Sequence, residues 1–224
     1  MLWSKAIGAG GAGGAYVFPS PTILTSFAAP SSVPTGLTFD GTNLISCDSD
    51  ADFIYVHDGV SSTILTSFAA PSSVPRGLAF DGTNLIICDA DTDRIYVNDG
   101  VSSTVLTSFA APGGGSSGLA FDGTNLISCD LTSDRIYVHD GVSSTILTSF
   151  ATPGGSPLGL TFDGTNLISC DLTSDFIYVH DGVSSTVLTS FATPGGGSSG
   201  LAFDGTNLIS CDLITDLIYV HDTA

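Results

Sequence analysis

The stretch Gly118–Ser149, GLAFDGTNLISCDLTSDRIYVHDGVSSTILTS, decides the fold because the chain repeats it. Its opening glycine recurs at Gly36, Gly77, Gly118, Gly159 and Gly200, a constant step of 41 residues. A fixed period of this size marks a solenoid, a propeller or an array, so single residues are read only in register with their repeats. Within the unit, Leu119–Phe121 and Leu126–Cys129 flank Asp122-Gly123-Thr124-Asn125. Asp-Gly between apolar runs is a hairpin signal, since glycine supplies the positive φ of a tight turn. A second Asp-Gly, Asp140-Gly141, follows the run Arg135–His139.

In the first complete unit the four segments are Leu37–Phe39, Leu44–Cys47, Phe53–His57 and Thr63–Ala69. They mix alternation with near-continuous apolar runs, as where both sheet faces are covered. Pro- and Gly-rich linkers separate the units. Four antiparallel strands per repeat, arranged radially, describe a blade of a β-propeller. The expected fold is therefore all-β, a five-bladed β-propeller with four antiparallel strands per blade. Residues 20–224 number 205, five times 41, so Thr22–Ala29 should pair beside Leu217–His221 and close the fifth blade. The rival is a strand-swapped oligomer in which the ends complete another chain's blade. Residues 1–19 stand apart as a Gly/Ala-rich leader plus a surplus segment, Tyr16-Val17-Phe18. The leader is expected to be flexible or, alternatively, to act as a docking arm using Trp3.

Composition narrows the function classes. The chain has 224 residues, 42% of them hydrophobic and only 12% charged, with a net charge of −18. All 22 acidic residues are Asp, and there is no Glu or Gln. Lys5, Arg76, Arg94 and Arg135 are the only basic residues besides four histidines. Such a chain should repel phosphate backbones and anionic membranes, so neither nucleic acid nor membrane is an expected partner. No signal peptide or spanning segment is evident. The five cysteines, Cys47, Cys88, Cys129, Cys170 and Cys211, hold one repeat position. On neighbouring blades they should stand about 14 Å apart, beyond disulfide reach, which predicts free, buried thiols and favours a reducing, cytoplasmic setting.

The pattern Gly118-Leu119-Ala120-Phe121-Asp122, Cys129-Asp130 and Asp134-Arg135-Ile136-Tyr137-Val138 resembles the NHL-type and YVTN-type propeller repeats. The likeness covers residues 20–224. It implies a propeller, and members of these families bind protein, RNA or sugars. Sugar-lactone hydrolases on similar propellers hold a metal with a Glu among the ligands, and this chain has none. With no G-x-S-x-G elbow and every histidine repeated rather than singular, the chain is read as non-enzymatic, without cofactor or metal.

Candidate sites are weighed by repeat position. Asp40, Asp81, Asp122, Asp163 and Asp204 read as turn residues, with a loosely held channel cation as the alternative. Asp48-Ser49-Asp50-Ala51-Asp52 looks like the start of a calcium loop. The later glycine and acidic ligand are missing, however, and other units read DLTSD or DLITD, so a hairpin turn is preferred. His57, His139, His180 and His221 are expected at the surface, each before an Asp that would accept its ring N–H. The repeats diverge at Phe53, Arg94, Arg135, Phe176 and Leu217, and in the linkers SSVPT, SSVPR, GGGSS, GGSPL and GGGSS. Those linkers should share a face with the turns that begin at Asp48, Asp89, Asp130, Asp171 and Asp212. Loops on a rigid scaffold carry binding, so these five aspartates with Arg76, Arg94 and Arg135 form the candidate ligand set. The third and fourth units differ at only six of 41 positions. Near-identity of that kind suits a symmetric scaffold, recently amplified or engineered. The alternative is a multivalent module for a glycan or protein ligand, gaining by avidity over equivalent grooves.

Overall fold

A computed structural model describes residues 21–223. The leader 1–15, with Trp3 and Lys5, and the segment Tyr16–Phe18 lie outside the described residues. Strand β1 (Ile23–Ala28) precedes the first sheet in chain order, which comprises β2 (Pro34–Phe39), β3 (Leu44–Asp48), β4 (Phe53–His57) and β5 (Ile64–Ala69). The pattern repeats from β6 (Pro75–Phe80) to β9 (Val105–Ala110), from β10 (Ser116–Phe121) to β13 (Ile146–Ala151), and from β14 (Pro157–Phe162) to β17 (Val187–Ala192). The last three strands are β18 (Ser198–Phe203), β19 (Leu208–Asp212) and β20 (Leu217–His221). Each sheet is an antiparallel meander, and the innermost strands β2, β6, β10, β14 and β18 pack in succession, with β18 against β2. This is a five-bladed β-propeller.

The fifth sheet runs β1-β20-β19-β18, so the N-terminal strand is the outermost strand of the C-terminal blade. Pairing runs from Ile23 opposite His221 to Ala28 opposite Leu217. The flanking bonds Asp222 N–H to Thr22 O (2.8 Å) and Ala29 N–H to Asp216 O (2.9 Å) copy Asp58 to Thr63 (2.8 Å) and Ala70 to Asp52 (2.8 Å) within the first blade. Closure thus uses the same bonds as an uninterrupted repeat. It removes the open edge that an incomplete last blade would present.

The inner strands begin earlier than their alternation indicates, at Pro34 rather than Leu37. A register break between Pro34 and Gly36 explains why the pattern hides this start. Proline is tolerated as a first strand residue because it has no N–H to pair. The glycine behind it decides how closely blades approach. A Cβ on Gly36 would lie 2.5 Å from the Arg76 carbonyl oxygen, and one on Gly118 2.7 Å from that of Leu158. Only a residue without a side chain lets neighbouring inner strands meet at this distance.

The core lies between blades rather than within one. Leu37 and Leu44 of the first blade bury against Ala202, Ile209, Cys211 and Ile218 of the last, and four further clusters surround the axis. All five cysteines are free and buried in these seams. Burial is the first cause that pushes their thiols up, to about 11 at Cys88 and Cys170 and about 12 at Cys129 and Cys211. No helix among the described residues is long and apolar enough to cross a membrane.

Candidate functional site

The turn aspartates act on their own backbone. Asp40 Oδ1 accepts from the N–H groups of Thr42 (2.8 Å) and Asn43 (2.7 Å), and the other four repeats do the same. Asn43 Oδ1 in turn accepts from Gly59 N–H at 3.1 Å, tying the two Asp-Gly turns of a blade together.

The aspartates at the second-to-third-strand turn are buried, with Asp48 only 2% exposed. Asp48 Oδ1 accepts from the N–H groups of Asp50 (3.0 Å) and Ala51 (2.7 Å). Its Oδ2 accepts from Val33 N–H, in the preceding linker, at 2.7 Å. Asp89 holds Val74, Asp130 holds Gly115, Asp171 holds Ser156 and Asp212 holds Gly197 in the same way. Each carboxylate is a rivet between linker and turn, with both oxygens engaged by the chain. The rivet works because the closing residues Asp52, Asp93, Asp134, Asp175 and Asp216 adopt φ of 49° to 58°, a left-handed conformation that Asp tolerates.

The arginines separate into two groups. Arg94 lies on the third strand of its blade, where its Nη2 donates to Ser108 Oγ (2.8 Å) and to Ser108 O (3.1 Å) on the outer strand. Arg135 repeats this with Ser149 at 2.7 and 3.1 Å. Both are peripheral. Arg76, by contrast, reaches a cavity of about 300 Å³ at one end of the central channel. Thr35, Ser49, Ser156 and Ser199 line the same cavity, and Val33, Leu131, Leu158, Leu172 and Leu213 complete its wall. All five blades contribute.

This cavity is where the repeats disagree. One equivalent position reads Thr35, Arg76, Ser117, Leu158 and Ser199, and another reads Ser49, Ala90, Leu131, Leu172 and Leu213. Where that first position is Thr or Ser, its hydroxyl donates to the neighbouring blade's proline carbonyl: Thr35 to Pro75 (2.7 Å), Ser117 to Pro157 (2.7 Å) and Ser199 to Pro34 (2.6 Å). Arg76 and Leu158 interrupt that ring of hydroxyls and turn the mouth into an asymmetric container. Sequence reasoning singled out Arg76 and the linkers but missed Leu131, Leu172 and Leu213. Their signal was the Ser/Ala/Leu divergence immediately after each riveting aspartate. At the other end of the channel a smaller cavity of about 90 Å³ is bounded by the inner strands, Leu37–Phe39 and their equivalents.

The histidines correct the expectation of a surface position. His57, His139 and His180 are 0% exposed and His221 1%. Each shares a seam with a phenylalanine of the preceding blade, as Phe27 does with His57 at a centroid distance of 6.1 Å. The following aspartate is not the partner. His57 Nδ1 lies 2.7 Å from the Ser61 carbonyl oxygen, which can only accept, so Nδ1 carries the proton. Nε2, at 2.9 Å, then accepts from the Ser46 hydroxyl. Ser128–His139, Ser169–His180 and Ser210–His221 repeat that contact. The third strand lies far from the axis, yet the seam between blades covers the sheet face that an isolated sheet would leave wet. Burial lowers each imidazole's pKa, at His221 to about 4. In the second blade Ile87 and Asn98 replace the pair, and Asn98 Nδ2 donates to Ser102 O at 2.6 Å, standing in for Nδ1. The Ser–His geometry is that of an activated nucleophile, yet Ser46 is 1% exposed.

Comparison with solved structures places the chain among β-propellers. It is similar to Myxococcus xanthus glutaminyl cyclase, with a TM-score of 0.77 and 13% identity over 91% of this chain and 97% of that one. It is also similar to the WD40 β-propeller domain of Doa1, with a TM-score of 0.58 and 13% identity over 84% of this chain and 63% of that one. At such identity the likeness is one of fold. No protein-family profile matches the chain, and no curated protein matches its sequence. The NHL-type or YVTN-type assignment therefore stays a resemblance of motif.

Proposed function

We propose that the protein is a non-catalytic binding module, in which the repeated blades are scaffold and the asymmetric channel mouth takes one small ligand. The carrying observation is the coincidence of cavity and divergence. The roughly 300 Å³ space is lined at positions where near-identical repeats differ, while the blade cores stay uniform. A volume at the lower end of the usual 300–1,000 Å³ range, mostly apolar with a few polar groups, is the ordinary form of a small-molecule site. The lining has no carboxylate, imidazole or thiol to serve as acid, base or nucleophile. That supports the non-catalytic reading over one borrowed from the glutaminyl cyclase likeness. The proposed module is a closed monomer and has neither nucleic acid nor membrane as partner.

Methyl NMR of leucine-labelled protein against a fragment library tests the reading. Shifts concentrated at Leu131, Leu158, Leu172 and Leu213, abolished by Leu158→Trp, are expected. Equal shifts in every inter-blade seam would instead favour five equivalent sites and a multivalent glycan or protein binder.

A further inference from the structure

We infer that the channel-mouth cavity is built for a small amphiphilic monocarboxylate, with its carboxylate on the Arg76 guanidinium and its apolar body against the leucines; this rests on the single-site reading above. The argument begins with what Arg76 lacks. The guanidinia of Arg94 and Arg135 are satisfied by Ser108 and Ser149. Arg76 alone among the three makes no hydrogen bond or ion pair to a described residue, although it is half-buried in a largely apolar wall. A guanidinium is always charged, and its planar fork matches a carboxylate through two parallel hydrogen bonds. A partly desolvated, unpaired cation is the costly arrangement that an incoming anion relieves.

The other polar groups narrow the class. Thr35 and Ser199 already donate to the Pro75 and Pro34 carbonyls, and Ser156 donates to the Gly155 carbonyl at 2.7 Å. That leaves Arg76 and the Ser49 hydroxyl as donors. One guanidinium and one hydroxyl on the same side of the wall satisfy the two oxygens of a carboxylate, whereas the further oxygens of a phosphate or a sugar would face the leucine methyls, and burying unsatisfied polar groups is costly. Across the mouth, Leu131, Leu158, Leu172 and Leu213 come from the third, fourth and fifth blades and offer only methyl groups. At about 30 Å³ per water-sized group, 300 Å³ holds roughly ten non-hydrogen atoms. Octanoate has that size. The net charge of −18 opposes any anion at long range, but salt at 0.15 M screens this beyond about 8 Å.

The experiment is calorimetric titration of the full chain at 0.15 M salt with octanoate and, separately, octanamide. It is run on the wild type, on Arg76→Leu and on Leu158→Ser. Both replacements already stand at the equivalent position of another blade, and matched thermal unfolding checks that each variant folds. Octanoate is expected to bind the wild type about 10- to 100-fold more tightly than octanamide, the range of a charge-assisted pair. Arg76→Leu should remove that preference while retaining octanamide, and Leu158→Ser should weaken both ligands. Equal binding of the two ligands, unchanged by Arg76→Leu, would overturn the carboxylate assignment and leave the single-site reading standing. Binding of neither ligand to the wild type would overturn the monocarboxylate assignment, while the single-site reading falls only if the fragment titration shows equal shifts in every seam.

Discussion

Acid should loosen this propeller through its buried histidines. In the unfolded chain an imidazole titrates near 6.5, whereas burial holds the folded His221 ring down to about 4. The folded pKa is the lower one, so the unfolded state takes up the proton first. The stability present above pH 6.5 is then lost as pH falls towards 4, at about 1.4 kcal/mol per pH unit. For His221, which is 1% exposed, the loss between pH 7.5 and pH 5 is about 2 kcal/mol. His57, His139 and His180 shift in the same direction and add to it. The second blade supplies the control, because Ile87 and Asn98 already occupy the Ser–His positions without a titrating group. A variant carrying Ser46→Ile with His57→Asn, and the corresponding pairs in the other three histidine blades, should unfold in urea with nearly pH-independent stability across this window. The wild type should lose at least about 2 kcal/mol more than the variant. The 22 aspartates are common to both proteins and cancel in the difference. Equal losses in wild type and variant would refute the account.

Three further outcomes follow from the packing. Deleting residues 20–29 removes β1 and exposes β20 as an edge, so analytical ultracentrifugation should report oligomers or calorimetry a lost cooperative transition; an unchanged monomer would contradict closure. Gly118→Ala forces a methyl to within 2.7 Å of the Leu158 carbonyl oxygen, and denaturant unfolding should show a cost of about 3 kcal/mol, the upper end for overpacking. The five thiols are buried with their pKa values raised, so a thiol reagent at pH 8 should modify none of them in the native protein and all five in urea.

Much of the architecture was legible one residue at a time. Asp122-Gly123 and Asp140-Gly141 mark turns because glycine takes positive φ at no steric cost, a purely local fact. The 41-residue step carries the blade count, and the offset of TILTSFAA from the last IYVH carries the closure, because strand pairing must supply the edge the repeat lacks. The start of each inner strand was not legible. Pro34 and Gly36 look like loop residues until the neighbouring inner strand is present to make a glycine necessary.

The site divided along the same line. Arg76 and the linkers could be singled out where near-identical repeats diverge, and the repeat position alone puts Arg76 in a linker and Arg94 and Arg135 at the start of a third strand. What each guanidinium meets is decided in three dimensions. Arg94 and Arg135 face a serine one strand outward in their own sheet, while Arg76 faces a space that exists only when five blades meet. The histidines make the same point. Their repeat position was plain, but whether position 57 is wet or dry depends on the next blade, and burial is a property of neighbours brought together by ring closure. Local backbone preference and periodicity set strands, turns and number. The packing of blade on blade set which side chains are core, which hold the linkers, and which surround the cavity.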